Sequence, residues 1–376
     1  MRVRILGGGV AALGCALALI RRTRIRDVLV FERESAEGLR ARVGHGLLLM
    51  RNGVEALKAL GARHVLHGCT PIRRTVIQDG RGGVVHVDGL EEVYCTTRAR
   101  IVEGLRRELP AGTMLVDHEC EQVDLAGGGP EEDRVEAVTF RRRPPLVRGG
   151  FDLLVGADGW RSVLCEALNP GYRRAPSRVR EIVTSTVLPG LAKRIGSDFI
   201  KTLFPDRGLA FGLLAPGKDR VIGFLQYDAE RHAVSRRATA SDLARFLRAA
   251  LEDAPEPVRA YREAADLTTA HLWCPPDADL PPRLSCANAV LVGDAAHPLL
   301  PFTSQGVSAA LEDGVMLADS LAGGGPDVLA GALAAFTRRR RRRLGVFVEG
   351  GRRILSRFLE TGGDFVLPYV LGAGAA

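Results

Sequence analysis

Apolar residues near the start of the chain form two short blocks separated by a longer stretch of helical length. The blocks read RVRIL at 2–6 and VLVFE at 28–32, and the stretch between them begins GGGVAALG and continues to about Arg22. Short apolar blocks of this kind predict strands, and a helix between two of them predicts a βαβ unit with parallel strands. The chain therefore opens as an α/β fold.

Between residues 182 and 228 the apolar residues fall instead into successive strand-length runs. These runs read IVTSTVLP, DFIKTLFP, GLAFGLLAP and RVIGFLQYD, and the turns between them contain Pro, Asp and Gly. Such spacing is typical of an antiparallel sheet. Further on, the apolar block AVLVG at 289–293 precedes a helical pattern at 307–322, so this part of the chain again shows the strand–helix pattern of an α/β fold.

We therefore predict a Rossmann-type dinucleotide-binding domain that is assembled from separated segments and carries an inserted antiparallel β-sheet domain. A chain of 376 residues is longer than one core of ordinary size requires, which agrees with two domains. The predicted boundaries place 1–70, 96–168 and 284–345 in the Rossmann-type domain, 71–95 and 169–283 in the β-sheet domain, and 346–376 in a C-terminal helix and apolar tail.

Composition narrows the range of partners. The net charge of +8 comes almost entirely from arginine, and only 5% of residues are aromatic, so a nucleic-acid site is not indicated. The run Arg338–Arg343 could bind nucleic acid or a membrane surface, but we favour a solvated, partly ion-paired helix face.

Seven cysteines without a CxxC pair predict neither a metal site nor disulfides, which fits a reducing cytoplasm. We expect no stable membrane insertion, because no apolar run is long enough to cross a bilayer.

The turn after the first predicted strand carries a dinucleotide fingerprint. In Gly7-x-Gly9-x-x-Ala12, Gly7 permits a tight turn, Gly9 admits a pyrophosphate and Ala12 lets the helix pack close to the strand. The amides at the helix N-terminus favour the anion. Glu32 ends the second strand, where its carboxylate can accept hydrogen bonds from ribose hydroxyls, and Arg33 follows it. These residues predict an adenine dinucleotide but leave NAD and FAD open.

Two further motifs follow strands later in the chain. LLVGADGWRS at 153–162 places Asp158 at the carboxyl end of a strand, where open α/β sheets bind ligands, although Asp-Gly is also an ordinary turn pair. GDAAHPLLPFTSQG at 293–306 places Asp294 in the same way, and the amides after Ser304 begin a helix that points at the loop. That arrangement suits a delocalised anion such as the edge of a reduced flavin ring, with Asp294 on a polyol hydroxyl.

In this order, the three motifs resemble those of the class A flavoprotein monooxygenases, the p-hydroxybenzoate hydroxylase-like group. The resemblance covers about 1–165 and 285–345, and it implies FAD as cofactor with NADPH or NADH as reductant. RARI at 98–101 is similar to the family's Arg-x-x-Leu helix start, and RVGHG resembles a loop with a flavin-side arginine. Together with the motif residues, the set expected to bind FAD is Gly7, Gly9, Ala12, Glu32, Arg33, Arg42, Arg98, Asp158, Asp294, Gln305, Gly306 and Val307.

The same resemblance gives candidates beside the flavin, although none is certain to be catalytic. Flavin-side candidates are Pro298, Pro301 and Ser304. Substrate-side candidates are His45 and, on predicted sheet strands that could face the flavin, Phe211, Phe224 and Trp273, for which packing in the core of the sheet is the alternative. His45 could alternatively carry a covalent link to FAD, as in some relatives, whereas His297 is expected to hold its loop by hydrogen bonding.

Two positions depart from the family pattern. The middle motif usually closes with arginine where this chain has Cys165, and a glycine usually stands where this chain has Ser304. The first departure bears on NAD(P)H docking. The second places a Cβ where it could alter flavin movement or the approach of substrate.

The implied activity is FAD-dependent monooxygenation. A flavin hydroperoxide formed from NAD(P)H and dioxygen would hydroxylate or epoxidise an aromatic or unsaturated small molecule, in secondary metabolism or aromatic catabolism. A reductase or a redox-neutral cyclase or accessory flavoprotein could use the same scaffold, whereas the Trp-x-Trp-x-Ile-Pro signature of flavin-dependent halogenases is missing. We expect no metal, no nucleic-acid partner, and a monomer or homodimer.

Overall fold

The structure is a computed structural model that describes residues 1–41, 46–129, 133–141 and 146–360. Two of the residues expected to lie near the flavin, Arg42 and His45, fall outside these ranges, as does the apolar tail from residue 361 onward.

The described chain contains helices, single strands between helices, and several runs of successive strands. The strands are β1 (Arg2–Leu6), β2 (Asp27–Phe31), β3 (Gly46–Leu49), β4 (Thr70–Asp79), β5 (Val84–Thr97), β6 (Met114–Leu115), β7 (Cys120–Ala126), β8 (Arg134–Phe140), β9 (Leu146–Gly149), β10 (Leu153–Gly156), β11 (Ala175–Pro176), β12 (Val179–Val187), β13 (Asp198–Phe204), β14 (Leu209–Leu214), β15 (Arg220–Asp228), β16 (His271–Trp273), β17 (Pro276–Asp277) and β18 (Ala289–Leu291). The α-helices are α1 (Val10–Arg22), α2 (Ala36–Ala41), α3 (Arg51–Ala59), α4 (Arg98–Arg107), α5 (Val163–Leu168), α6 (Pro189–Ile195), α7 (Ala240–Ala250), α8 (Val258–Ala264), α9 (Gly306–Leu321) and α10 (Leu329–Leu359).

A five-stranded sheet in the order β18-β10-β1-β2-β6 organises the nucleotide-binding half. All its pairs are parallel, as the βαβ pattern predicts. Alternate side chains of these strands enter two different cores: one face packs on α1, α3, α4 and α9, and the other packs on α5 and the β7-β8-β9 sheet. The strands therefore end at one shared edge, which is where open α/β sheets bind ligands.

Helices α1 and α9 pack against one another at unusually short range. A Cβ built on Gly314 of α9 would lie 2.9 Å from the backbone of Cys15 in α1, and one on Gly14 would lie 3.1 Å from the Leu311 side chain. The glycines let the two backbones come together, so both helix N-termini lie at the carboxyl edge of the parallel sheet.

The second large sheet is mixed rather than purely antiparallel. Its order is β16-β12-β15-β14-β13-β4-β5-β3, and the pair β13-β4 is parallel. The spacing of apolar runs predicted the antiparallel strands from β12 to β15. It did not predict the parallel pair, because β4 lies more than a hundred residues before β13 in the chain. Strand β3 (Gly46–Leu49) also pairs here, with β5, although the predicted boundaries assign it to the Rossmann-type domain.

The two faces of this mixed sheet have different neighbours. The outer face packs on α6, α7 and α8. The inner face packs on Leu300 and Phe302 of the loop before α9 and on Ile354 and Phe358 near the end of α10. The loop of the GDAAHP motif therefore lies between the nucleotide-binding half and the mixed sheet.

The arginine run Arg338–Arg343 lies within helix α10, and several of its side chains bond to the rest of the protein. Arg340 is buried and bonds Asp313, while Arg341 donates to the carbonyl of Pro281 at 2.7 Å. Arg343 pairs with Glu312 at 2.8 Å, so the favoured interpretation of a partly ion-paired face agrees with these contacts. Over the residues described, the structure contains no helix with the length and apolar character that crossing a bilayer requires.

Candidate cofactor site

Three motifs that are far apart in sequence meet at the carboxyl edge of the parallel sheet. Gly7 has φ +95°, and a Cβ there would lie 2.5 Å from the carbonyl oxygen of Ala157. Gly293 has φ +59°, and a Cβ there would lie 2.5 Å from the Cβ of Ala11. Both positions need glycine for their backbone conformation and for the close approach. The fingerprint turn thus contacts the GADG turn, and the GDAAHP loop contacts the start of α1 at Ala11.

Glu32 is buried at the end of β2 and is already fixed by backbone donors. Its Oε2 accepts from the amide of Gly8 at 2.6 Å, and its Oε1 accepts from the amide of Glu34 at 2.8 Å. A carboxylate oxygen has a second lone pair, so ribose hydroxyls can still donate to either oxygen. Arg33 beside it is exposed and lies 3.7 Å from the Glu34 carboxylate.

Arg98 brings a positive charge to the glycine turn. It is the first residue of α4, whose N-cap Thr97 accepts from the amide of Arg100 at 3.2 Å. A Cβ built on Gly9 would lie 3.3 Å from an Nη atom of Arg98, so the guanidinium lies directly over the turn. A guanidinium facing the amides at a helix N-terminus is suited to a pyrophosphate.

Asp158 presents an unsatisfied acceptor at the end of β10. Its Oδ2 accepts from the amide of Val163 at 2.9 Å, while its Oδ1 is enclosed without a hydrogen-bond partner in the described chain. Burial raises the pKa of this carboxyl, against the opposing effects of Ser162, backbone amides and Arg174. A buried acceptor left without a donor is costly, which fits a ligand hydroxyl or amide at this position.

Asp294 is exposed although the residues on either side of it in the loop are buried. It follows β18, so it lies at the same edge as Asp158 and Glu32. An accessible carboxylate in an otherwise buried loop fits a polyol chain that donates hydroxyl groups to it.

A buried ionic cluster holds the Asp294 loop in place. Asp313 of α9 accepts from the amide of Gly293 at 2.7 Å and from Nε2 of His297 at 2.6 Å, and it also bonds Arg340. Burial opposes ionisation of Asp313, but Arg340 and His297 hold its pKa down to about 2. His297 therefore has the structural role expected from the sequence. Asp313 and Arg340 were missed, although an acid on the apolar face of α9 was a visible signal.

The N-terminus of α9 closes this part of the site. Ser304 has φ +52°, in the left-handed region, and precedes Gln305, whose Oε1 accepts from Nδ2 of Asn52 at 3.0 Å. Gly306 and Val307 follow in the first turn, where helix amides have no intrahelical acceptor. The loop before α9 is stiffened by Pro298, which is buried, and by Pro301, which is half-buried.

The aromatic candidates on the mixed sheet do not share one face. Phe224 is half-buried on the inner face, in the core that includes Leu300 and Phe302. Phe211 is fully buried on the outer face, with its ring 5.6 Å from that of Tyr261, on the side of the sheet away from the loop before α9. Trp273 is 38% exposed on the edge strand β16.

The inner face also carries a buried polar chain that the sequence analysis missed. Nζ of Lys201 donates to Gln226 Oε1 at 2.8 Å, and Gln226 Nε2 donates to Glu181 Oε1 at 2.6 Å. The Lys201 ammonium lies 5.9 Å from the ring centroid of Phe302. Burial lowers the pKa of Lys201 to about 7 and raises that of Glu181 to about 7. The described residues hold no group of three His, Cys, Asp or Glu side chains that could bind a metal ion.

Comparison with known proteins agrees with this geometry. Residues 131–341 match the family described as "FAD binding domain". The chain is 31% identical to 3-amino-4-hydroxybenzoate 2-monooxygenase of Streptomyces cremeus over 83% of its length and 76% of the relative's. It is 27% identical to salicylate hydroxylase of Pseudomonas putida, over 85% of this chain and 76% of that protein.

Solved structures show the same fold. HpxO of Klebsiella pneumoniae, complexed with FAD, superposes with a TM-score of 0.82 at 20% identity and covers 97% of this chain and 91% of its own. A 2-methyl-3-hydroxypyridine-5-carboxylic acid oxygenase superposes with a TM-score of 0.78 at 25% identity, over 97% and 94% of the two chains. The cofactor is FAD, with NAD(P)H as the reductant typical of the family. The chain belongs to the class A, p-hydroxybenzoate hydroxylase-like family of FAD-dependent monooxygenases.

Proposed function

We propose that this monooxygenase hydroxylates a single-ring aromatic substrate that carries an electron-donating hydroxyl or amino group, of the aminohydroxybenzoate or hydroxybenzoate type. The match to 3-amino-4-hydroxybenzoate 2-monooxygenase over 83% of the chain carries this proposal. The similarity to a salicylate hydroxylase and a 3-hydroxybenzoate 6-hydroxylase supports the same class. No comparison favours the alternative of a reductase or a redox-neutral flavoprotein.

We propose the following cofactor roles for the residues that the sequence analysis expects to bind FAD. Gly7, Gly9, Ala12 and Arg98 would hold the pyrophosphate, and Glu32 with Arg33 the adenosine half. Asp294 would hold the ribitol chain, Asp158 a neighbouring polar group, and Gln305–Val307 the flavin edge. The accessible Asp294 and the unsatisfied Oδ1 of Asp158 support this arrangement.

Substrate would lie between the inner face of the mixed sheet and the loop before α9. Phe224 and Phe302 belong to the apolar core at that boundary, and Pro298 and Pro301 stiffen its loop side. When bound, FAD supplies the activation of dioxygen. The side chains of this chain bind it, exclude water and orient the ring that is hydroxylated. We further propose a cytoplasmic location, which the free state of all seven cysteines supports. A monomer or homodimer stays a prediction.

The proposal is tested by NAD(P)H oxidation with a panel of aromatic acids. We expect 3-amino-4-hydroxybenzoate, salicylate or 3-hydroxybenzoate to stimulate oxidation and to yield a hydroxylated product. Benzoate, which lacks the electron-donating group, is the matched control and should yield no product. Product formation from a non-aromatic alkene alone would contradict the proposed substrate class and favour epoxidation.

The cofactor assignment is tested separately by flavin affinity. Asp294→Asn should weaken FAD binding by about tenfold, since a charge-assisted hydrogen bond is typically worth about 1.5–3 kcal/mol. Asp319→Asn, at an exposed ion pair on α9, should leave FAD affinity unchanged. Equal affinities of the Asp294 variant and the parent would remove Asp294 from the cofactor site.

A further inference from the structure

The middle motif of this chain lacks its usual closing arginine, and the structure shows what lies at that position. Cys165 belongs to α5, whose N-cap Ser162 accepts from the amide of Cys165 at 3.1 Å. The Cys165 side chain is buried next to the GADG turn. A thiol cannot supply the several directed N–H donors of a guanidinium.

Arg174, nine residues further on, brings a guanidinium to the same place. Its Nη2 lies 3.1 Å from Sγ of Cys165 and donates to the carbonyl oxygen of Ala295 at 2.9 Å, and its Nη1 donates to the carbonyl oxygen of Trp160. One side chain therefore joins the GADG turn to the GDAAHP loop. These are the two loops that carry Asp158 and Asp294.

The position of Arg174 is itself fixed by its neighbours. Its guanidinium lies 5.0 Å from the ring centroid of Tyr172, and the Tyr172 hydroxyl bonds the carbonyl of Asp279. The next residue, Ala175, begins β11, which pairs with β17. The arginine therefore reaches the site from an anchored segment.

Arg174 also acts on the electrostatics of the GADG turn. It opposes the burial that raises the pKa of Asp158 and that of Cys165. The Nε of Arg174 and the Oδ1 of Asp158 are both enclosed without a hydrogen-bond partner among the described residues. A donor and an acceptor left open beside the same turn fit a polar ligand group there.

We propose that Arg174 is a positioning residue that ties the GADG turn to the GDAAHP loop and supplies the guanidinium that the family usually places at the position of Cys165. The proposal rests on the proposed assignment of Asp158 and Asp294 to FAD. It predicts that the site holds one guanidinium from either position, but not two, because the Arg174 head group lies directly on the Cys165 sulfur.

A double-mutant cycle tests this relocation. FAD affinity is measured by reconstituting apoprotein, and folding is followed by circular dichroism and thermal unfolding without FAD. Arg174→Met should weaken FAD binding by about tenfold or more, and Cys165→Arg alone should also weaken it. Combining Cys165→Arg with Arg174→Met should recover most of the lost affinity, which a merely structural loss would not do.

Two further variants separate the effect of the bridge from the effects of charge and of a nearby substitution. Arg173→Met, at an exposed neighbouring arginine, should bind FAD as the parent does. Arg174→Lys keeps the charge but cannot bridge both loops, so its affinity should fall between those of the parent and Arg174→Met. Parent-like affinity in Arg174→Met or Arg174→Lys, or a folded double variant no tighter than Arg174→Met, would overturn the proposal. Because these readouts need no turnover, they are independent of which substrate the enzyme hydroxylates.

Discussion

Ser304 is the residue whose local conformation least suits its side chain. Its φ of +52° lies in the left-handed region, which typically costs an L-residue about 1–2 kcal/mol. Ser304→Gly should therefore raise the free energy of unfolding by about 1 kcal/mol, after the greater flexibility of glycine in the unfolded chain is allowed for. Chemical denaturation of the apoprotein measures this change.

Ser304→Ala is the matched control, because it removes the hydroxyl but keeps the Cβ. It should not stabilise the protein, and equal stabilisation by both substitutions would contradict the backbone explanation. If Ser304→Gly also leaves the rates of flavin reduction and product formation unchanged, the Cβ of Ser304 has no influence on flavin movement.

At the scale of elements, the closeness of α1 and α9 sets the position of both helix N-termini. Gly314→Ala places a Cβ 2.9 Å from the backbone of Cys15. It should cost about 1–3 kcal/mol of stability, as overpacking typically does, and it should weaken FAD binding by moving α9. Thermal unfolding and flavin affinity report the two effects.

Gly345→Ala in α10 is the control for helix propensity. A Cβ there meets nothing within 4 Å, so the substitution should stabilise the helix by about 0.5–1 kcal/mol. A Gly314→Ala protein that is as stable as Gly345→Ala would show that the two helices can separate without cost.

The Asp313 cluster joins three elements: the GDAAHP loop, α9 and α10. Asp313→Asn removes one of the two carboxylates that pair with the buried Arg340 and leaves Glu312, 2.8 Å away, as the other, so we expect a loss of about 3 kcal/mol in the free energy of unfolding, measured by chemical denaturation. Asp319→Asn on the same helix breaks an exposed pair with Arg22 and should cost less than about 1 kcal/mol.

Asp313 also gives stability a defined dependence on pH. Its folded pKa of about 2 lies below the ordinary value of 3.8, so its contribution is complete above about pH 4 and is lost as pH falls toward 2. Asp313→Asn should therefore lose less stability than the parent over this acid range. An equal loss in both proteins would show that Asp313 is not held ionised by its partners.

Local motifs were enough to predict which residues meet at the carboxyl edge of the parallel sheet. Gly7, Glu32 and Asp294 each follow a strand, and the carboxyl ends of parallel strands must meet at one edge, so sequence alone placed them together. The bridging role of Arg174 was not predicted, because Ala295, whose carbonyl oxygen it bonds, is 121 residues further along the chain. No local pattern shows which arginine will fill the space left by Cys165.

The faces of the mixed sheet were less predictable for a related reason. Alternation separates the side of Phe211 from that of Phe224, but it does not say which side meets the GDAAHP loop. That choice depends on the docking of the whole sheet. The parallel pair β4-β13 likewise joins two strands that are far apart in the sequence. Turn signals reveal only pairs of strands that follow one another, so they could not predict it.

For the whole molecule, the architecture places the apolar inner face of one sheet against the carboxyl edge of another. The loop before α9 lies between them, with Asp294 at the carboxyl edge of the parallel sheet and Phe302 against the inner face of the mixed sheet. In this architecture the bound FAD supplies the reactivity for oxygen transfer, and the chain binds and surrounds it.

The most direct test of this account is turnover of the FAD-loaded enzyme under isotopically labelled dioxygen, with NAD(P)H and the preferred hydroxybenzoate or aminohydroxybenzoate. Mass spectrometry of the product should show one labelled oxygen atom per molecule formed, and no label when labelled water replaces labelled dioxygen. Product that forms equally well without dioxygen, or that takes its oxygen from water, would contradict the monooxygenase account.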